Sequence, residues 1–210
     1  MTKNQYDKKY FEDGVRAKVS GYENYRWIPQ RSISEALEIK KNFDFKTCVD
    51  FGCAKGFLVH ALRILGCEAF GEDISDYALE NCHPRVRNYL SKPNEFKYDL
   101  MICKDVLEHI PSEELPAFLK KLLKKADQFL FVVPFGDNDL FRIREYEIDI
   151  THVTKKDEEW WFELFKNQGL KIEKFSYEFG AIKEKWTKPF PCGNGFFVLT
   201  RQIGGKDGSR

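Results

Sequence analysis

Thr47-Cys48-Val49-Asp50-Phe51-Gly52-Cys53-Ala54-Lys55-Gly56 is the stretch that decides the fold. A short apolar run closes on Asp50, glycines follow at 52 and 56, and Phe57-Leu-Val-His-Ala-Leu-Arg-Ile-Leu65 continues with apolar residues at helical spacing. The pattern predicts a strand that turns sharply into a helix. Glycine suits such a turn because it takes a positive φ at little steric cost and lets a ligand lie against bare backbone. The first N–H groups of the following helix lack partners within it and are expected to face an anion. Asp50 narrows the ligand further. A carboxylate at the strand end would repel the pyrophosphate of a dinucleotide and suits a ligand carrying an ammonium or sulfonium charge.

Working outward, Ser32 or Ser34 is positioned to cap a helix running to about Lys41. On the other side Gly66 stops the helix, and Glu68-Ala-Phe-Gly-Glu-Asp-Ile-Ser75 predicts a second strand with Ser75 capping a helix that ends before Pro84. Asp73 lies 17 residues past Gly56, close to the separation at which this type of fold sets a carboxylate on ribose hydroxyls. Glu72 beside it reads as a solvated acid. Residues 85–90 predict a short third strand, 98–104 a fourth and 128–134 a fully buried fifth. Ser112 is expected to cap a helix whose Lys120, Lys121, Lys124 and Lys125 form a solvated face. Residues 135–150 have no clean period and predict an insertion over the ligand edge of the sheet. Thr154, with Asp157 three positions on, reads as the cap of a helix ending at Gly169, and 170–179 and 195–202 as the last two strands.

Composition bounds the function. At 210 residues the chain suffices for one α/β domain with a small lid. Thirty-four basic against 33 acidic residues give a formal charge of +1, so no global electrostatic argument favours nucleic acid. The cysteines at 48, 53, 67, 82, 103 and 192 lack the paired short spacings of a zinc site, and no metal site is expected. No signal peptide or long apolar span is evident, so a reduced, cytoplasmic, soluble protein without a membrane partner is expected. Aromatic residues, 15% of the chain, cluster near both ends, where they are expected to wall a pocket.

Val49-Asp-Phe-Gly-Cys-Ala-Lys-Gly56 resembles motif I of class I S-adenosylmethionine-dependent methyltransferases, with Ala54 at the family's central glycine. Gly71-Glu-Asp-Ile-Ser75 parallels the family's Gly-x-Asp-Ile-Ser and selects Asp73 over Glu72. Tyr98-Asp-Leu-Met-Ile-Cys-Lys-Asp-Val-Leu-Glu-His-Ile-Pro111 resembles its fourth-strand segment, which brings Cys103 and Lys104 to the carboxyl edge of the sheet. Tyr6-Asp-Lys-Lys-Tyr-Phe11 matches a segment that in the family folds over the cofactor; the alternative is an arm whose rings merely pack on the domain.

The resemblance implies a Rossmann-like α/β fold: a seven-stranded, mostly parallel sheet with helices on both faces and the last strand antiparallel. It implies an aromatic arm or lid over residues 1–31, an S-adenosylmethionine-binding domain over 32–203 and a disordered tail at 204–210. The implied cofactor contacts are Asp50, Gly52, Cys53, Ala54, Gly56, Asp73, Ile74, Cys103 and Lys104, with Asn88 receiving the adenine amino group. Tyr6, Tyr10, Phe11 and Tyr146 are the expected acceptor pocket. His152, preceded by Thr151 as in small-molecule members, is the candidate general base, while His109 is either structural or catalytic. The implied reaction is O-methylation of a small polar acceptor such as a sugar, glycan precursor or natural product, with S-adenosylhomocysteine as product. Methylation of RNA or protein is the alternative, opposed by the balanced charge and by Lys104-Asp-Val-Leu107 in place of an Asn/Asp-Pro-Pro-aromatic phrase. A catalytically silent cofactor-binding scaffold is the third possibility.

Overall fold

The computed structural model describes residues 5–202. Two short helices, α1 (Lys8–Glu12) and α2 (Gly14–Ala17), precede α3 (Pro29–Asn42). The chain then alternates through β1 (Thr47–Phe51), α4 (Phe57–Ile64), β2 (Glu68–Glu72), α5 (Asp76–Glu80), β3 (Leu90–Ser91), β4 (Tyr98–Lys104), α6 (Leu115–Leu122) and β5 (Ala126–Pro134). A small hairpin of β6 (Gly136–Asp137) and β7 (Leu140–Phe141) follows, then a 3₁₀ turn at Arg144–Ile148 and α7 (Glu158–Asn167). β8 (Leu170–Ser176), α8 (Glu184–Thr187) and β9 (Asn194–Arg201) complete the described chain.

The seven-stranded sheet has the order β3-β2-β1-β4-β5-β9-β8. From β3 to β5 neighbouring strands are parallel, and β9 runs antiparallel to both β5 and β8. The expected Rossmann-like sheet is therefore present, and its strand order reverses between β1 and β4, where open α/β sheets bind their ligands. Side chains alternate across a strand, so each face has its own core. Val49, Met101, Phe129 and Phe131 pack with Leu119 of α6 and Trp161 and Phe165 of α7. Cys48, Leu100, Ile102 and Leu130 pack on the other face with Ile39 of α3 and Val59 and Leu62 of α4. Each such large apolar side chain contributes roughly 1.5–3 kcal/mol by leaving water.

Several local expectations are corrected. α3 begins at Pro29, because proline fits the first helical position without forfeiting a needed N–H. Residues 84–89 form a 3₁₀ helix, with Pro84 in its first turn, and leave only Leu90–Ser91 to the strand. α6 starts at Leu115, and Ser112 donates to the Glu113 carboxylate at 3.3 Å instead of capping the helix. Asp157 caps α7, accepting from Trp160 N at 2.9 Å, while Thr154 is buried and donates to the Ile110 carbonyl at 2.6 Å. Glu72 is not solvated: it is 1% exposed and ion-paired with Lys125, which is itself buried and so leaves the solvated lysine face. The tail expected at 204–210 lies outside the described residues. No helix among them is long and apolar enough to cross a membrane.

Candidate active site

At the end of β1 the chain turns through Gly52 (φ +81°), Ala54 (φ +50°) and Gly56 (φ +73°). A Cβ on Gly52 would collide with the Val106 side chain, so space and backbone both require glycine there. Ala54 takes the left-handed conformation without being glycine, at roughly 1–2 kcal/mol. What holds it is Asp73, whose Oδ2 accepts from Ala54 N at 2.7 Å. Gly52 N and Cys53 N donate to the Glu72 carbonyl at 2.7 and 3.1 Å, and Gly56 N donates to the Cys53 carbonyl at 2.9 Å. These N–H groups of the turn itself are bonded within the protein. Asp50 and Asp73 place two carboxyl groups at this corner. Burial raises the Asp50 carboxyl to about 7 against the opposing charge of Lys104.

Over the carboxyl ends of β1, β2 and β4 lies an open cleft. Gly52, Ala54, Asp73 and Ile74 form one wall, Pro93 and Phe118 another, and Tyr6, Tyr10, Phe11 and Tyr22 a third; Asp105, Val106 and His109 close it. Asp73 Oδ1 accepts from Ser75 N at 2.7 Å. Burial raises its carboxyl despite the bonds from Ser75 and Ala54. A carboxylate has roughly four lone-pair positions, so capacity for a hydroxyl donor remains beside these backbone bonds. A carboxylate pinned in this way beside a glycine cradle fits a ribose-bearing ligand.

Tyr6, Tyr10, Phe11, Gly52, Ala54, Asp73, Ile74 and His109, all singled out in the sequence, line this cleft. Asp50, Cys53, Gly56, Cys103, Lys104, Tyr146 and His152 do not. Cys103 is fully buried in the core beneath α6 and α7. Asn88 lines a different cavity, with Thr47, Glu68 and Tyr98 at the amino-terminal ends of their strands. Its expected adenine contact is corrected for that reason: the 3₁₀ helix at 84–89 carries it away from the carboxyl edge.

The far end of the cleft is a hydrogen-bonded chain of side chains. Tyr10 OH donates to Asp149 Oδ2 at 2.6 Å, and Thr151 donates to Asp149 Oδ1 from both N and Oγ1, at 2.9 and 2.5 Å. With its single proton committed to Asp149, Thr151 Oγ1 can only accept from His109 Nδ1, 2.8 Å away. His109 therefore carries its proton on Nδ1 and leaves Nε2 as a lone pair. His152 is fixed likewise, for its Nδ1 lies 2.8 Å from the Tyr146 carbonyl, which can only accept. The two rings are 4.7 Å apart. Burial, then the neighbouring His152, lowers the pKa of His109 to about 4, and burial lowers that of His152.

Glu108, 1% exposed, has no hydrogen-bond partner at Oε2, and burial with the nearby charge of Asp105 holds its carboxyl well above the usual range. Burial also pushes the Asp105 carboxyl up, but the ammonium groups of Lys183 and Lys104 outweigh it and hold it at about 2. Lys183 Nζ is 2.5 Å from Asp105 Oδ1.

Sequence reasoning missed Asp105, Glu108, Asp149, Thr151 and Lys183 as members of one site. Asp149-Ile-Thr-His152 did carry a signal, since a histidine flanked by an acid and a hydroxyl has its orienting groups at hand. It also missed Lys55, inside the opening stretch, which pairs with Glu12 and donates to the Tyr25 carbonyl at 3.1 Å. Tyr77 OH reaches the same Glu12 carboxylate at 3.0 Å, so the N-terminal helices are fastened to the loop.

A model of the methyltransferase domain family matches residues 22–175. Magnesium-protoporphyrin O-methyltransferase of Synechocystis sp. (strain PCC 6803) is 32% identical over 95 residues, 40% of this chain. The match spans 41% of that relative's length. A SAM-dependent methyltransferase from Archaeoglobus fulgidus superposes with a TM-score of 0.64 at 14% identity, over 83% of this chain and 95% of that one. Magnesium protoporphyrin IX methyltransferase from Synechocystis PCC 6803 with bound SAH gives 0.60 at 16% identity, over 95% and 94%. These two likenesses establish the fold, and the family model covers well over half of the sequence. The chain belongs to the methyltransferase domain family, within the class I S-adenosylmethionine-dependent superfamily.

Proposed function

We propose that the protein transfers a methyl group from S-adenosylmethionine to a hydroxyl oxygen of a small polar acceptor such as a sugar, a glycan precursor or a natural product. The observation that carries this reading is the pair of neutral imidazoles, His109 on the cleft wall and His152 behind it, 4.7 Å apart and each with Nδ1 committed to an oxygen. Asp73 would hold the ribose, and Gly52 to Ala54 would lie along the amino-acid portion. The buried carboxylate of Asp50 would balance positive charge through space. When bound, S-adenosylmethionine supplies a sulfonium methyl: an O–C bond forms as the S–C bond breaks, and the electron pair stays on sulfur as a neutral thioether. Alignment supplies much of the rate in such a displacement. The arm carrying Tyr6, Tyr10 and Phe11 would act as a lid that excludes water, held by Glu12 on Lys55. The hydroxyl proton is received at the His109–His152 corner, with His152 as the candidate base. The O-methyltransferase activity in the curated relative's name favours oxygen over nitrogen.

The test is release of S-adenosylhomocysteine across a panel of sugar nucleotides, phenols and amines. Turnover with hydroxyl acceptors is expected, falling by about 10²- to 10⁴-fold in His152→Ala with cofactor affinity retained. Turnover restricted to amines and unaffected by that substitution would remove both the oxygen acceptor and the base. Methylation of RNA, with a mobility shift at stated salt, would replace the small acceptor.

A further inference from the structure

We infer that Glu108, His109 and His152 form a site for a divalent transition-metal cation at the acceptor end of the cleft. One ligating atom from each of the three lies within 4.8 Å of those of the other two. With both Nδ1 atoms engaged, Nε2 is what each imidazole has left to give. A proton fixed on Nδ1 by an oxygen partner is how metal-binding histidines are oriented, and here the partners are Thr151 Oγ1 and the Tyr146 carbonyl. Glu108 supplies an independent sign. Its Oε2 is buried without any donor, a state that native proteins rarely tolerate and that a cation would relieve.

The scaffold is also preformed. Val153 N and Thr154 N both donate to the Glu108 carbonyl at 2.9 Å, which ties the loop after β4 to the segment bearing His152. Asp149 Oδ2, 3.8 Å from His152 Nε2, is already engaged by Tyr10. Two imidazole nitrogens and one carboxylate oxygen favour Mn²⁺, Fe²⁺, Co²⁺ or Zn²⁺ over Mg²⁺ and Ca²⁺, which prefer all-oxygen shells. Three protein donors leave positions open, and His109 lines the cleft, so an acceptor oxygen can complete the set. For its chemical role the inference rests on the methyl-transfer reading but reassigns the proton: with both Nε2 atoms on the cation, neither histidine serves as the base. A hydroxyl on the cation loses its proton to solvent more readily and keeps the electron pair for the new bond. Cysteine spacing gave no hint of this site because its ligands are histidines 43 positions apart and a glutamate.

The test is titration of the full chain, stripped with chelator, with Mn²⁺ followed by loss of the free-ion electron paramagnetic resonance signal. One Mn²⁺ per chain is expected, bound at least about tenfold more weakly in Glu108→Gln and in His152→Asn. Thr151→Val keeps all three donors but removes the His109 partner, and should weaken binding by about 10- to 100-fold. Melting curves without metal identify any variant that fails to fold, and the others carry the test. Absence of stoichiometric Mn²⁺ or Zn²⁺ binding at millimolar concentration by the folded wild-type chain overturns the site, as does binding unchanged in all folded variants. Calorimetry with S-adenosylmethionine on the same samples separates the two readings. Full turnover in chelator overturns the metal's role and leaves methyl transfer intact, whereas metal binding without cofactor binding keeps the site and removes methyl transfer.

Discussion

The two ends of the cleft are built by different means. At the cofactor end, backbone N–H groups of residues 52–54 bond to the Glu72 carbonyl and the Asp73 carboxylate across adjacent parallel strands. At the acceptor end, side chains meet across the whole chain: Tyr10 and Asp149 are 139 positions apart, Asp105 and Lys183 are 78, and His109 and Thr151 are 42. A site made of backbone depends on conformation and tolerates most side-chain changes. A site made of buried side chains fails whenever one partner is removed, because the other is left unsatisfied. The two ends should therefore respond to different kinds of substitution.

The largest effect is expected at Gly52, where a side chain would strain the backbone at φ +81° and strike Val106. Gly52→Arg should weaken S-adenosylmethionine binding by about 100-fold or more, equivalent to about 2.7 kcal/mol, as read by calorimetry. Retention within tenfold of wild type would mean that the backbone cradle does not hold the cofactor.

Next in size is the converse change at the acceptor end. Tyr10→Phe deletes one hydroxyl and leaves the buried Asp149 Oδ2 without its 2.6 Å donor, at about 1–3 kcal/mol. The melting temperature should fall by roughly 2–4 °C per kcal/mol, and kcat/KM for the acceptor should fall more than cofactor affinity does. Equal losses in both would merge the two ends into one cooperative unit and break the contrast.

The same difference explains what was legible in sequence. A ten-residue stretch contains the turn, so strand, turn and helix could be read from spacing; spacing brought out the Glu72–Asp73 pair, and the family resemblance selected Asp73. The residues marked the strand segments, while the parallel sheet and the antiparallel pairing of the last two strands came from the family resemblance. Asn88 was misplaced because Arg85-Val-Arg-Asn-Tyr-Leu90 has strand-like residues but starts after a proline that favours a 3₁₀ turn. Lys183 carried no signal at all, since only the fold brings it to Asp105. His109 and His152 were each visible, but their adjacency was not.

Asp50 tests the charge of the cofactor end. Its carboxyl sits near 7, above the ordinary 3.8, because burial disfavours the charged form. A folded-state pKa above the unfolded one gives stability that is complete below the unfolded pKa and is lost as pH rises through about 7. The ligand-free protein should therefore lose stability across that window, while affinity for a cationic cofactor should gain, by about tenfold between roughly pH 6 and 8. Asp50→Asn should flatten both profiles. A wild-type affinity independent of pH would show that Asp50 does not sense the ligand's charge.

The smallest expected effect is at Ala54, where conformation alone is at issue. Alanine at φ +50° is disfavoured by roughly 1–2 kcal/mol, and glycine would remove that strain. Glycine also has more freedom to lose on folding, about 0.5–1 kcal/mol. The difference leaves Ala54→Gly more stable by up to about 1 kcal/mol, or roughly 2–4 °C in melting temperature. The Ala54 N–H to Asp73 bond is a backbone contact and survives the substitution, so cofactor affinity should change less than about threefold. A large loss of affinity on gaining glycine would mean that the methyl of Ala54, and not the backbone beneath it, shapes the wall of the cleft.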